Sequence, residues 1–66
     1  MKVGDYKIVG DYKIKADRLH RVINDHSKKQ RDFIIYKNGV YKGYFSVPSD
    51  IKDFESVLKF YLDNYV

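Results

Sequence analysis

The sequence predicts a small, mainly-β domain in which an N-terminal hairpin and a three-stranded antiparallel sheet are capped by one C-terminal α-helix. Apolar and polar side chains alternate at period two in several segments before Pro48. Asn38-Gly39 separates two of these segments, and apolar residues repeat at helical spacing after Pro48. With 66 residues the chain has room for one domain, so we expect residues 1–66 to fold as a unit.

The N-terminal hairpin is predicted from a tandem repeat. The hexapeptide Val-Gly-Asp-Tyr-Lys-Ile occurs twice in succession, beginning at Val3 and at Val9. Gly10-Asp11 suits a two-residue type II′ turn, in which Gly supplies the positive φ. The predicted strands lie near residues 3–9 and 12–16. The alternative is a duplication that lengthened one strand; a shift of six residues would keep every side chain on its original face.

Residues 17–30 allow two interpretations. Spacing at i, i+3, i+4 and i+7 favours a short amphipathic helix after Asp17, through Leu19, Val22, Ile23 and His26. The β-branched pair within it instead favours a strand near 18–25, followed by a turn over 24–27 and a solvated loop over 28–30. The strand completes a three-stranded sheet, whereas the helix makes the chain a β-α-β-β-α sandwich.

The second hairpin is predicted by Asn38-Gly39, the strongest short hairpin signal that a sequence carries. Its strands lie near residues 31–37 and 40–47. Pro48 ends the second strand because it has no amide hydrogen to donate.

A C-terminal helix is predicted near residues 50–64, with Ser49 or Asp50 as its N-cap. Its apolar stripe should cover one face of the sheet. The stripe consists of Ile51, Phe54, Leu58, Tyr61, Leu62 and Tyr65. Phe60 lies roughly opposite this stripe at about 100° per residue, which predicts an exposed ring.

Charge is distributed unevenly along the chain. Residues 1–43 carry eleven Lys or Arg against five Asp, a balance of +6, whereas residues 44–66 carry two Lys against four acidic residues, a balance of −2. A basic segment of this kind is typical of proteins that bind phosphates. The chain has no Cys, so it has no disulfide framework and no thiolate metal site, and the cytoplasm is the expected compartment.

The second hairpin carries the candidate binding residues. Three Tyr alternate there with three basic residues, a combination typical of surfaces that stack on bases and neutralise phosphates. They are Tyr36, Tyr41 and Tyr44 with Arg31, Lys37 and Lys42. For Tyr41 we favour cross-strand packing. Lys42 and Tyr44 share a parity opposite to that of Phe45, which predicts that both face solvent.

Several segments resemble known small β-domains. Residues 20–25, 30–39 and 45–48, with the helix through Phe54 and Leu58, resemble a chromodomain. Residues 7–15 leading into 19–22 resemble the archaeal seven-kilodalton chromatin proteins, which share the fold. The resemblance implies a small SH3-like, chromodomain-like barrel.

The resemblance also implies a binding mode. The archaeal chromatin proteins bind duplex DNA through the face of the three-stranded sheet and widen the minor groove with apolar wedges. Together with Arg21 and Arg31, the matching positions give the predicted nucleic-acid-binding residues: Arg21, Ile23, Arg31, Ile34, Tyr36, Lys42, Tyr44 and Ser46. Lys37 stands where a chromodomain has a cage Trp, so methyl-lysine recognition is not expected. No Trp is present to insert between bases, which argues against strong kinking.

The sequence therefore predicts a small, sequence-tolerant protein that binds duplex DNA and associates with the nucleoid, with no cofactor, metal, catalytic residue, membrane partner or small-molecule substrate. One alternative is a phage- or plasmid-type inhibitor that docks on a host protein through Phe60 or an edge strand. A less favoured alternative is a small ribonuclease toxin using His20 or His26, which requires residues 17–29 to be helical.

Overall fold

The computed structural model describes residues 2–22 and 25–66, and describes no side chains for residues 20–28. The chain forms four strands and one helix. These are β1 (Tyr6–Val9), β2 (Tyr12–Val22), β3 (Asp25–Lys37), β4 (Val40–Pro48) and α1 (Phe54–Asn64). The strands pair antiparallel in the order β1-β2-β3-β4, and α1 packs across one face.

The predicted mainly-β architecture with a C-terminal helix is confirmed. The SH3-like barrel is not, because β1 and β4 lie at opposite edges and no pairing between described residues closes the sheet. The chain forms an open sheet of four strands rather than a hairpin beside a separate three-stranded sheet.

Both predicted hairpin turns are present. Gly10 has a φ of 60°, and Asp11 does not have a positive φ, as a type II′ turn requires. Asn38 and Gly39 have φ values of 51° and 81°, the left-handed pair of a type I′ turn. The Asn38 amide also donates to the Asp11 carbonyl at 2.8 Å, so the two turns lie side by side.

The two copies of the repeated hexapeptide present opposite faces of the sheet. The turn between them pairs Ile8 with Lys13 and Lys7 with Ile14. Partners in an antiparallel pair share a face. Each residue of Tyr-Lys-Ile in the first copy therefore lies on the face opposite to that of its counterpart in the second copy. Ile14 is 0% exposed and Ile8 is 65% exposed. The alternative in which one strand was lengthened with its faces preserved is therefore wrong.

The first strand is also shorter than predicted. Residues 2–5 form a turn in which Gly4, at φ 92°, donates its amide to the Ala16 carbonyl at 2.8 Å. The turn is closed by a hydrogen bond from the Asp5 amide to the Lys2 carbonyl. The strand begins at Tyr6 instead of Val3.

Residues 17–22 continue β2, and β3 begins at Asp25, so the helical interpretation and the β-α-β-β-α alternative are wrong. The predicted strand 12–16 and residues 18–22 of the predicted strand 18–25 form one strand, with a register shift between Ala16 and Leu19 in place of a break, whereas Asp25 belongs to β3. The predicted turn and loop over 25–30 belong to β3, where Lys29 pairs with Arg21. Ladder hydrogen bonds between the two strands outweigh the weak helical spacing. Ile23 lies outside the described residues.

A β-bulge interrupts β4. Ile35 pairs with Gly43 while Tyr36 pairs with Tyr41, which leaves Lys42 as the extra residue. Gly43 has a φ of 119°, a conformation that L side chains rarely adopt. Tyr41 pairs directly with Tyr36, with ring centroids 5.8 Å apart, so it packs across the strands as predicted, although at 57% exposed it is not part of the core.

The helix begins at Phe54, four residues later than predicted. Asp53 is the N-cap, and its carboxylate accepts a hydrogen bond from the Ser56 amide at 2.9 Å. The predicted caps Ser49 and Asp50 lie instead in a turn that the Ile51 amide closes on the Pro48 carbonyl. Capping by Asp53 satisfies one of the amides that have no partner within the first turn of the helix.

The core lies between α1 and one face of the sheet. It comprises Ile14, Ala16, Phe33, Ile35, Phe45, Val47, Val57 and Leu58. Phe33 packs against Phe45 and Phe54 with centroids 5.9 and 6.2 Å away. Val57, which was not in the predicted stripe, is buried, whereas Leu62 is exposed. Phe60, predicted to be exposed, is half-buried and packs against the core.

Candidate nucleic-acid interface

The sheet face turned away from α1 is not covered by another element among the described residues. We call it the open face. It is formed by alternate residues of all four strands: Tyr6, Ile8, Lys13, Lys15, Ile34, Tyr36, Tyr41 and Tyr44. Tyr44 is 72% exposed, and Tyr6, Ile8 and Tyr41 are also well exposed. An exposed group of aromatic and aliphatic side chains this concentrated is typical of a binding surface.

Cross-strand pairing assembles the open face. Lys13 lies between Ile8 on β1 and Tyr36 on β3, and Lys15 lies between Tyr6 and Ile34. Ile34 pairs in turn with Tyr44 on β4. The turn at Gly10 fixes the pairs between β1 and β2, whereas the pair of Ile34 with Tyr44 lies beyond the bulge at Lys42.

The central lysine is held in place by aromatic rings. The Lys13 Nζ lies 4.7 Å from the Tyr6 ring centroid and 5.5 Å from that of Tyr36. Both distances are within the range of a cation–π interaction. The ammonium group is therefore fixed between two rings on the surface, where it can meet a phosphate.

A buried carboxylate lies at one end of the same face. Asp32 is 5% exposed. It accepts hydrogen bonds from the Ser46 Oγ at 2.6 Å and from the Arg18 Nε at 3.2 Å. The Arg18 side chain is 76% exposed, so the remaining guanidinium donors face solvent. The Asp32 carboxylate thus positions Arg18 beside the open face, and it accepts the hydroxyl hydrogen of Ser46.

A groove of about 490 Å³ continues the open face between the two hairpin turns. Ile8, Lys13 and Tyr36 form its apolar and basic side, and Asp11 and Asn38 form its polar rim. The Asn38-to-Asp11 hydrogen bond fixes the two turns that form it.

The structure brings four of the predicted binding residues together. Ile34, Tyr36 and Tyr44 lie on the open face, and Ser46 lies at its end beside Asp32. As predicted, Lys42 and Tyr44 are exposed, although Lys42 occupies the bulge and shares no pair with a residue of β3.

One predicted binding residue, Arg31, lies elsewhere. Arg31 pairs with Val47 and Leu19, on the side of the sheet that carries the core. The side chain of Arg21 and the whole of Ile23 lie outside the described residues.

Sequence reasoning missed the contribution of β1 and β2, which supply Tyr6, Ile8, Lys13 and Lys15. The signal was present. A two-residue turn at Gly10-Asp11 pairs Ile8 with Lys13 and Tyr6 with Lys15. Because side chains alternate between faces along each strand, these four residues lie on one face.

The described residues contain neither a candidate metal-binding group nor a candidate membrane-spanning helix. They contain no group of three or more His, Cys, Asp or Glu side chains arranged to hold a metal ion. Within the same residues, no helix combines the length and hydropathy that crossing a bilayer requires. The side chains of His20 and His26 lie outside the described residues.

Comparison of the chain with protein-family models, with curated proteins and with solved structures finds no match. The resemblance to chromodomains and archaeal chromatin proteins stays a prediction. What this protein binds is therefore inferred from the chemistry of the open face.

Proposed function

We propose that this protein binds duplex DNA on its open face, by phosphate neutralisation and by contact of Tyr and Ile side chains with the groove. The observation that carries the proposal is Lys13, fixed between Tyr6 and Tyr36 in the middle of an exposed aromatic surface. Lys15 lies beside it on the same strand. This combination provides both contacts that sequence-tolerant nucleic-acid binding uses.

The composition of the open face favours low sequence specificity. Tyr and Ile side chains present ring and aliphatic surfaces, which contact sugars and base edges without distinguishing donor and acceptor patterns. The Ser46 hydroxyl, at the end of the open face, already donates to Asp32. The open face therefore reads charge and shape more than sequence. An SH3-like barrel is not required for this mode, since an open sheet exposes the same face.

The test is a titration of fluorescently labelled duplex DNA, followed by anisotropy at several salt concentrations. If Lys13, Lys15, Arg18 and Lys42 each meet a phosphate, log K should fall against log salt with a slope of about −4. The double variant Lys13→Gln/Lys15→Gln should reduce the magnitude of that slope by about two and weaken binding uniformly across sequences.

The matched control is Lys37→Gln/Lys59→Gln. It removes the same charge from positions off the open face, since Lys37 lies over the Tyr12 ring and Lys59 lies on α1. This variant should retain the wild-type slope. Equal loss of binding in the two double variants would mean that net charge, and not the open face, holds DNA. Absence of binding at tens of micromolar protein in low salt removes the proposal.

A second candidate function is docking on another protein by strand addition. The outer edge of β4 carries no partner strand among the described residues, and Val40 and Tyr41 are exposed along it. Such an edge can pair with an extended peptide. Phe60 contributes less to this candidate, because its ring is half-buried. This mode predicts a stoichiometric protein complex with weak dependence on salt.

A further inference from the structure

A second concave surface lies at the far end of the sheet, on the side that carries the core. It is a cleft of about 330 Å³ between the β2–β3 pair and the segment that joins β4 to α1. We call it the basic cleft. Its described lining residues are Leu19, Lys29, Arg31, Ser49, Ile51 and Lys52.

Three basic residues line the basic cleft. Lys29 and Arg31 extend from β3, and Lys52 enters from the connecting segment. Among the described lining residues none is acidic. Like charges brought together repel one another unless an anion lies between them, so this arrangement favours an anionic ligand.

The frame of the basic cleft is fixed by hydrogen bonds. The Arg31 Nη1 donates to the Asp17 carbonyl at 3.0 Å, which orients the guanidinium and leaves its other donors for a ligand. The Ser49 amide donates to the Lys29 carbonyl at 3.0 Å and so attaches the connecting segment to β3. These contacts hold the Arg31 guanidinium and the backbone of Lys29 and Ser49 around one space.

The connecting segment contains two acidic residues, Asp50 and Asp53, and neither lines the basic cleft. The Asp53 carboxylate accepts a hydrogen bond from the Ser56 amide as the helix cap. Arg31 shares its side of the sheet with the core residue Val47, so the basic cleft is separate from the open face.

We propose that the basic cleft binds the phosphate group of a small phosphate monoester. A guanidinium with two ammonium groups and a hydroxyl is the donor set that phosphate oxygens prefer. A volume of about 330 Å³ is at the lower end of small-molecule sites, which fits one phosphate with a short substituent. The protein thus has a small-molecule ligand that its sequence does not predict, at a site independent of DNA binding.

The test uses ¹⁵N-labelled full-length protein titrated with inorganic phosphate and with glycerol phosphate at constant ionic strength, set by chloride. We expect saturable shifts of the Lys29, Arg31, Ser49 and Lys52 amides and of the Arg31 Nε–H, with glycerol phosphate the tighter ligand. Shifts that rise linearly without saturation, or that are equally large on α1, would overturn the proposal.

Two variants test whether the residues of the basic cleft bind the phosphate. Arg31→Gln should weaken phosphate binding at least about tenfold, because the guanidinium is the central donor. Lys52→Gln, in the exposed connecting segment, gives a second measurement if Arg31→Gln disturbs the sheet. Lys59→Gln on α1 is the control and should bind like the wild type. Unchanged affinity in a folded Arg31→Gln or Lys52→Gln protein contradicts the proposal.

The variant Lys13→Gln/Lys15→Gln separates this inference from the proposed function. It should lose DNA affinity and retain phosphate affinity, because its substitutions lie on the opposite side of the sheet. Phosphate binding that falls together with DNA binding in this variant would contradict a separate site.

Discussion

At the scale of single residues, the tandem repeat shows that surroundings and not identity decide what a side chain does. Lys7 and Lys13 occupy the same place in the two copies. Lys7 forms an ion pair with Glu55 on α1, whereas Lys13 lies over two Tyr rings on the open face. The turn at Gly10 causes the difference by reversing the chain.

Ile8 and Ile14 allow a matched test of that account. Ile14 is fully buried, so Ile14→Ala should lower the free energy of unfolding by about 2–5 kcal/mol. Ile8 is largely exposed, so Ile8→Ala should change it by less than about 0.5 kcal/mol. Urea denaturation of both variants measures the difference. Similar losses in the two variants would mean that both copies face the core.

At the scale of elements, the N-terminus of α1 makes stability depend on pH. The Ser56 amide donates to Asp53 and lowers the pKa of that carboxyl, and the Lys7 ammonium lowers the pKa of Glu55. A carboxyl whose pKa is lower in the folded state contributes stability above its unfolded pKa and loses it as pH falls through the folded value. Stability should therefore decline as the pH falls below about 4 to 5.

Substitution at the cap tests this dependence by thermal denaturation. Asp53→Ala should lower the melting temperature at pH 7, because the Ser56 amide loses its acceptor. Asp53→Asn should keep most of the capping at pH 7 and lose less stability than the wild type on acidification. Asp50→Ala is the control, since Asp50 is exposed and lies before the helix. An effect of Asp50→Ala as large as that of Asp53→Ala would contradict the assigned cap.

The elements that could be predicted from the sequence are those fixed by local chemistry. Gly10-Asp11 and Asn38-Gly39 determine their turns within two residues, and both hairpins form as predicted. The parity that exposes Tyr44 also follows from the strand alone.

The remaining features depend on contacts between distant segments. The bulge at Lys42 exists only because Gly43 pairs with Ile35, and the register shift after Ala16 brings Leu19, rather than Arg18, opposite Arg31. Neither is encoded in local spacing. The helical periodicity of residues 17–26 was overridden for the same reason, since pairing with β3 is a long-range contact.

At the scale of the whole molecule, five of the eleven basic residues in the first two-thirds of the chain are divided between two surfaces. Lys13, Lys15 and Arg18 serve the open face, while Lys29 and Arg31 line the basic cleft on the other side. The charge balance along the chain predicted a polyanion ligand. It could not indicate this division, because it does not show which face of the sheet each basic residue occupies.

The central claim, that the open face holds DNA, is tested most directly by mapping amide chemical shifts on the ¹⁵N-labelled protein as duplex DNA is added. We expect the largest shifts at Tyr6, Lys13, Lys15, Tyr36 and Tyr44, and no change at Lys59 or along the exposed side of α1. Shifts concentrated on α1, or spread evenly over both sides of the sheet, would contradict it.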